Sequence, residues 1–149
     1  IDTSLSYNSK AFFIIGKSTL LPALLVAEGY GKILVTQPRR LPCKLISDRV
    51  NSMVNDEISG WAVSGTEKRV HAPILYVTDG LLKERLLNDE NLITQNTSVN
   101  RSIIFFIDEV HERSVNIDLC LGLFARLLTL NPNLQTKMKV IISSATLDT

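Results

Sequence analysis

The sequence predicts an α/β fold with a mostly parallel central sheet, on three observations. Five short runs rich in Ile, Val and Phe recur along the 149 residues. Longer segments with apolar residues every three or four positions lie between them, and each run closes on polar, Gly or Pro residues. Such alternation makes βαβ units, whose ligands bind outside the carboxyl ends of the strands. With 45% hydrophobic residues, the chain is long enough for one compact domain with its own core.

Ala11–Ile15, AFFII, reads as the first strand and Thr19–Glu28 as the helix that follows. Lys32–Thr36 is the second strand, with a helix over Leu45–Asn55; Ile74–Thr78 is the third, with a helix over Gly80–Asn88. Residues 88–102 are polar, a surface connection with room for one helical turn. Ile103–Ile107 is the fourth strand, and the helix Ile117–Leu130 follows with Leu119, Leu123, Leu127 and Leu130 as its stripe. Lys139–Ser143 is the fifth strand. All five are brief and continuously apolar, as strands covered on both faces are.

Composition narrows the function classes. Sixteen basic residues against 15 acidic ones exert no general pull toward nucleic acid, so any such binding rests on local placement. Cys43 and Cys120 lie far apart with no CxxC spacing, which points to ordinary thiols in a reducing, intracellular compartment, nuclear or cytoplasmic. The apolar run Leu20–Ala27 falls well short of the roughly 20 residues that cross a bilayer, so no membrane partner is expected. The chain begins at Ile1 and stops at Thr149 directly after a strand-like run, and the expectation is a segment of something longer.

The strand ends carry the chemistry. After the first comes GKST, Gly16–Thr19, in which Lys17 suits the β- and γ-phosphates of a nucleotide and the Ser18 hydroxyl suits Mg²⁺. A plain helix start explains these four residues about as well. TQPRR, Thr36–Arg40, follows the second strand; its two guanidinium groups suit phosphate oxygens or form a solvated surface pair. TDG, Thr78–Gly80, follows the third, offering a hydroxyl and a helix N-terminus to a phosphate, or simply an N-cap with Asp79 as the capping side chain. DEVHER, Asp108–Arg113, follows the fourth and is the most specific. Asp108 at the tip of an apolar strand can hold Mg²⁺, and Glu109 can orient or deprotonate a water for phosphoryl transfer; a solvated acidic turn is the plain alternative. SAT, Ser144–Thr146, closes the series and means nothing alone.

In this order and spacing, GKST, TQPRR, TDG, DEVHER and SAT resemble the first RecA-like domain of the DEAH-box RNA helicases of superfamily 2. The resemblance covers nearly the whole chain, including LPALLVAEGYGK before TQPRR and LLKERLLNDENL after TDG. It implies a three-layer RecA-like P-loop NTPase fold and ATP hydrolysis coupled to movement on single-stranded RNA. It implies further that Gly16, Lys17, Ser18 and Thr19 bind nucleotide, that Ser18 and Asp108 hold Mg²⁺, and that Glu109 activates water. His111 would link that site to Ser144 and Thr146, whose hydroxyls couple hydrolysis to domain movement. Arg39, Arg40 and Thr78 would touch the RNA backbone with little sequence preference, and Arg49 would stack on the adenine. Protein activators and a second RecA-like domain, which completes the ATP site and the RNA groove, are the partners that the resemblance implies. Val110 stands where the family name has alanine, a modest change.

Two departures matter more. In GxxxxGKS the first glycine stands five residues before Gly16, where this chain has Ala11, and Phe12, Phe13, Ile14 and Ile15 fill the gap. None of these makes a phosphate nest, so AFFII reads as the strand itself, with the ETGSG of the family's GETGSGKS absent. Either residues are omitted from the sequence, or the phosphate loop is degenerate and the domain is a non-catalytic RNA- or protein-binding module, or another loop supplies the cradle. The second departure is GWAVSGT, Gly60–Thr66. Read as a turn, it puts Ser64 and Gly65 where the family has an arginine and a phenylalanine against RNA, a phosphate contact worth about 1–3 kcal/mol.

Overall fold

The computed structural model describes residues 20–37, 40–89, 91–98, 100–107 and 115–142. Helix α1 covers Leu20–Ala27, strand β1 Ile33–Gln37, helix α2 Arg40–Val54, strand β2 Ser59–Val63 and strand β3 Thr66–Lys68. Strand β4 covers Ile74–Thr78, helix α3 Asp79–Asn88, the single turn α4 Leu92–Gln95, strand β5 Ile103–Ile107 and helix α5 Val115–Leu130. A 3-10 helix over Pro132–Thr136 leads into strand β6, Met138–Ile142. The expected first strand, Ala11–Ile15, lies outside the described residues.

Among the described residues the strands form one sheet in the order β3-β2-β4-β1-β5-β6. Every pairing is parallel except the β2–β3 hairpin. The central strands ILVTQ, ILYVT and IIFFI are buried almost throughout, so their continuous apolar runs follow from cover on both faces. One face sets Leu34, Leu75, Val77, Phe105 and Ile107 against α3, α4 and α5; the other sets Ile33, Val35, Tyr76 and Phe106 against α1 and α2. The result is three layers, helices on both sides of a twisted sheet, as the RecA-like expectation requires. No helix among the described residues is long and apolar enough to cross a membrane.

Three expectations need correction. GWAVSGT is not a turn: Gly60–Val63 belong to buried β2, Ser64 and Gly65 make the hairpin bend, and Gly65 takes φ +91, which favours glycine. The apolar stripe of α5 is also displaced. Ile117, Cys120 and Phe124 face the core, and Phe124 packs on Phe105 with ring centroids 4.7 Å apart, while Leu119 and Leu130 are exposed. Of the expected stripe, Leu127 does pack against this core; leucines recur on more than one side of the helix, so their spacing alone set the stripe off its centre. Finally, α2 starts at Arg40 rather than Leu45, with Pro42 in the first turn, where a missing N–H costs nothing.

Candidate functional site

The register sets the carboxyl ends of the central strands at one level: Gln37 pairs with Thr78, Thr36 with Ile107, and Ile107 with Ile142. The chain therefore leaves β1, β4, β5 and β6 at one edge of the sheet. β1 and β4 are neighbours about 4.8 Å apart, yet the helices that follow them, α2 and α3, pack on opposite faces. Adjacent strands whose crossovers diverge in this way open a crevice at their carboxyl ends, the usual ligand site of such sheets. Gln37 and Thr78 form its floor.

Thr78 is the N-cap of α3, with φ −73 and ψ 153, and its hydroxyl accepts from the Leu81 N–H at 3.4 Å. Asp79, expected as the cap, is instead the first helical residue, buried, and its carboxylate accepts from the next backbone N–H, that of Gly80, at 2.7 Å. The competing side chain stands one position too late: a cap needs extended backbone, which Thr78 has. Capping uses an oxygen lone pair of Thr78, so its hydroxyl proton remains a donor toward the crevice.

Arg40 opens α2 with its side chain exposed, and one guanidinium nitrogen donates to the Ser64 carbonyl at 2.9 Å. The arginine expected to meet RNA thus also braces the hairpin bend. A guanidinium carries five N–H donors, so this bond leaves others for a phosphate. Arg49 is exposed in the middle of the same helix. Nine residues are two and a half helical turns, so Arg40 and Arg49 project from opposite sides of α2, about 13 Å apart along its axis. They address different surfaces, in keeping with the separate roles that the resemblance implies.

The remaining candidates, Gly16, Lys17, Ser18, Thr19, Arg39, Asp108, Glu109, His111, Ser144 and Thr146, lie outside the described residues. No group of three or more His, Cys, Asp or Glu side chains suited to a metal occurs among the described residues. Mg²⁺ would fall to Ser18 and Asp108, a hydroxyl and a carboxylate, which is a hard oxygen donor set appropriate to that ion.

Sequence reasoning missed the clamp that seats the hairpin. The Ser47 and Ser59 hydroxyls are 2.8 Å apart and fully buried, and the Ser59 N–H donates to Asn51 Oδ1 at 2.9 Å while Asn51 Nδ2 returns a bond to the Ser59 carbonyl at 3.1 Å. Arg69, in left-handed backbone at φ 51, adds a bond from Nε to the same carbonyl at 3.0 Å and lies 3.9 Å from both Asp48 and Glu57. The only advance signal was polar residues, Ser47 and Asn51, four apart on the inner side of an amphipathic helix. The two cysteines form no disulfide and are buried in different cores, Cys43 on the α2 side and Cys120 on the α5 side. Burial, reinforced by Asp79, pushes each thiol up to about 12.

No family model matches the chain. It is 37% identical over 142 residues to a putative ATP-dependent RNA helicase of Acanthamoeba polyphaga mimivirus, covering 90% of this chain and 19% of that protein. It is 35% identical over 140 residues to the ATP-dependent RNA helicase HrpA of Escherichia coli, covering 89% of this chain and 10% of that protein. The crystal structure of the Escherichia coli DEAH/RHA helicase HrpB superposes with a TM-score of 0.73 at 30% identity, covering 90% of this chain and 17% of that one. The chain thus spans about a fifth or less of the length of these relatives. Over this span, then, the chain is similar in sequence and fold to ATP-dependent RNA helicases, a DEAH/RHA helicase among them.

Proposed function

We propose that this chain is the first RecA-like domain of an ATP-dependent RNA helicase motor and that its crevice edge binds nucleotide and the backbone of single-stranded RNA. The observation that supports the reading is the common level of Gln37, Thr78, Ile107 and Ile142, the strand ends that TQPRR, TDG, DEVHER and SAT follow in sequence, in a sheet like that of a DEAH/RHA helicase. Lys17 contacts the β- and γ-phosphates, and Ser18 and Asp108 hold Mg²⁺, which when bound neutralises charge on the transferring phosphoryl group. Glu109 orients the attacking water and takes its proton. Arg49 stacks on the adenine. Arg39, Arg40 and the Thr78 hydroxyl hold RNA phosphates, so recognition is largely independent of base identity. His111, Ser144 and Thr146 couple the two ligands, and a second RecA-like domain completes both surfaces.

Titration calorimetry with Mg²⁺-ATP tests this reading on the 149-residue chain and on a form with ETGSG inserted between Gly16 and Lys17. Both forms are first matched by circular dichroism. Binding by the inserted form alone, abolished by Lys17→Ala, supports the motor. Equal binding by both refutes AFFII as a strand that leaves no cradle. Binding by neither favours a non-catalytic module.

A further inference from the structure

At the end of the sheet opposite the crevice, the segments entering β1, β4 and β5 surround a cavity of about 450 Å³. Its walls carry Lys32, His71 and Arg101, with the polar side chains of Gln95, Asn96 and Thr97 between them. It opens into a second chamber of about 350 Å³ through shared residues, Lys32, His71, Gln95 and Asn96. That chamber reaches under α3 to the buried side chains Leu34, Leu75, Leu82 and Leu92. A concavity of this size that reaches core leucines between polar walls has the form of a small-molecule site.

The mouth is held in place. The Ser98 N–H donates to Arg101 O at 3.0 Å and the Arg101 N–H returns to Ser98 O at 3.2 Å, while the Gly31 N–H donates to Ser102 O at 3.2 Å. A Cβ on Gly31 would stand 2.9 Å from that same carbonyl oxygen, so the segments entering β1 and β5 meet as closely as backbones allow. The Lys32 ammonium donates to Val70 O and Ala72 O, each at 2.6 Å; these are neutral acceptors, and no ion pair joins it to a carboxylate among the described residues. His71 and Arg101 likewise form no ion pair among them. In the inner chamber Arg85 lies 3.7 Å from Glu67, and Asp89 Oδ1 accepts from the Asn91 N–H at 3.1 Å, so both rim charges are already engaged. Cationic groups without a counter-anion at the mouth of an apolar chamber match a molecule with an anionic head and an apolar body.

We propose that this pocket binds an amphipathic organic acid, with its carboxylate between Lys32 and Arg101 and its apolar body on Leu34, Leu75, Leu82 and Leu92. At roughly 30 Å³ per non-hydrogen atom, the inner chamber takes a body of order ten such atoms. The site stands at the other end of the sheet from the nucleotide and RNA edge and does not depend on the reading given to that edge.

Octanoate is the probe, titrated into the ¹⁵N-labelled 149-residue chain and followed by amide shifts, with acetate and 1-octanol in parallel. The expected result is a Kd below about 1 mM for octanoate, with shifts concentrated at Gln95, Asn96, Thr97 and the strand starts. Binding at least tenfold weaker is expected for acetate and for octanol, and loss of tenfold or more in Lys32→Met. Arg101→Ala, at an exposed position, is expected to weaken binding at least threefold and decides the matter if Lys32→Met does not fold. The proposal is overturned if octanoate fails to bind, if octanol binds as tightly, if acetate matches octanoate, if the shifts fall elsewhere, or if folded variants bind like the parent.

Discussion

Gly60→Ala is the most severe small substitution that this structure offers. Gly60 lies in β2 beside the point where Arg69, in left-handed backbone, curls back over the strand. A Cβ there would stand 2.1 Å from the Arg69 carbonyl oxygen, 2.3 Å from that of Lys68 and 2.6 Å from the Arg69 carbonyl carbon. Nonbonded carbon needs roughly 3.5 Å, so the backbone at 68–69 must retreat by more than 1 Å. That movement breaks the 3.0 Å bond from Arg69 Nε to Ser59 O and loosens the clamp through Ser47 and Asn51. Overpacking against backbone costs about 1–3 kcal/mol, and loss of a partly exposed charged hydrogen bond adds about 1 kcal/mol. The expected loss is about 3 kcal/mol, which lowers a urea midpoint by about 1.5–2 M at an m-value near 2 kcal/mol/M. Trp61, the chain's single tryptophan and the next residue, reports the transition by fluorescence. Gly122→Ala is the matched control: nothing lies within 4 Å of a Cβ there, and in the interior of α5 alanine gains about 0.5–1 kcal/mol over glycine. A loss below about 1 kcal/mol for Gly60→Ala, with an unchanged m-value, refutes the close approach.

Three further outcomes follow from the same geometry. Arg40→Ala removes one phosphate contact and the brace on Ser64, so the slope of log K for single-stranded RNA against log salt should fall by about 0.7, with folding stability lowered by less than about 1 kcal/mol; an unchanged slope removes Arg40 from the RNA surface. Burial lowers Lys32 from 10.5 to about 8, so between those values the unfolded chain holds more protons than the folded one and stability rises with pH. Relative to Lys32→Met, the parent should gain about 1–2 kcal/mol from pH 7 to pH 10.5, after allowance for solvent at the pocket mouth; parallel curves in chemical denaturation contradict a desolvated ammonium. Neither Cys43 nor Cys120 should react with a disulfide reagent at pH 8 in the native state, and both should react at once in denaturant; rapid native labelling contradicts the buried, raised thiols.

The central strands were legible because a parallel strand covered on both faces must be apolar at every position, and ILV, ILYV and IIFFI leave few alternatives. The hairpin was not, because SGWAV mixes glycine and serine with a tryptophan and TEK is fully exposed. What makes them strands is pairing, Gly60 beneath Arg69 and Ser59 in the clamp, all of it contact between residues that no periodicity links. The strands ending at Gln37, Thr78, Ile107 and Ile142 were legible as apolar runs, and their common level follows from the parallel register. The bond from Arg40 to Ser64 was not, because it joins the start of α2 to the hairpin bend 24 positions on through a backbone oxygen, which carries no residue signature. The mouth of Lys32, His71 and Arg101 was hidden for the same reason: these residues are scattered in sequence and meet only where three strands begin.

The hairpin clamp has a consequence for the order in which the chain acquires its shape. Ser47, Asn51, Ser59 and Arg69 fall within one stretch of about 20 residues, so α2, β2 and β3 can find one another at little cost in loop closure. The middle of the sheet is the reverse: β1 meets β5 by matching Ile33 to Ile104, residues separated by 71 positions. Short loops close early and long ones late. The stretch from 40 to 69 therefore nucleates first and carries β2 in place, β4 adds beside it, and the buried centre closes last, when IIFFI arrives to cover an edge of β1 that has been open until then. Mutations in the clamp should slow folding, whereas those in β5 should act mainly by hastening unfolding.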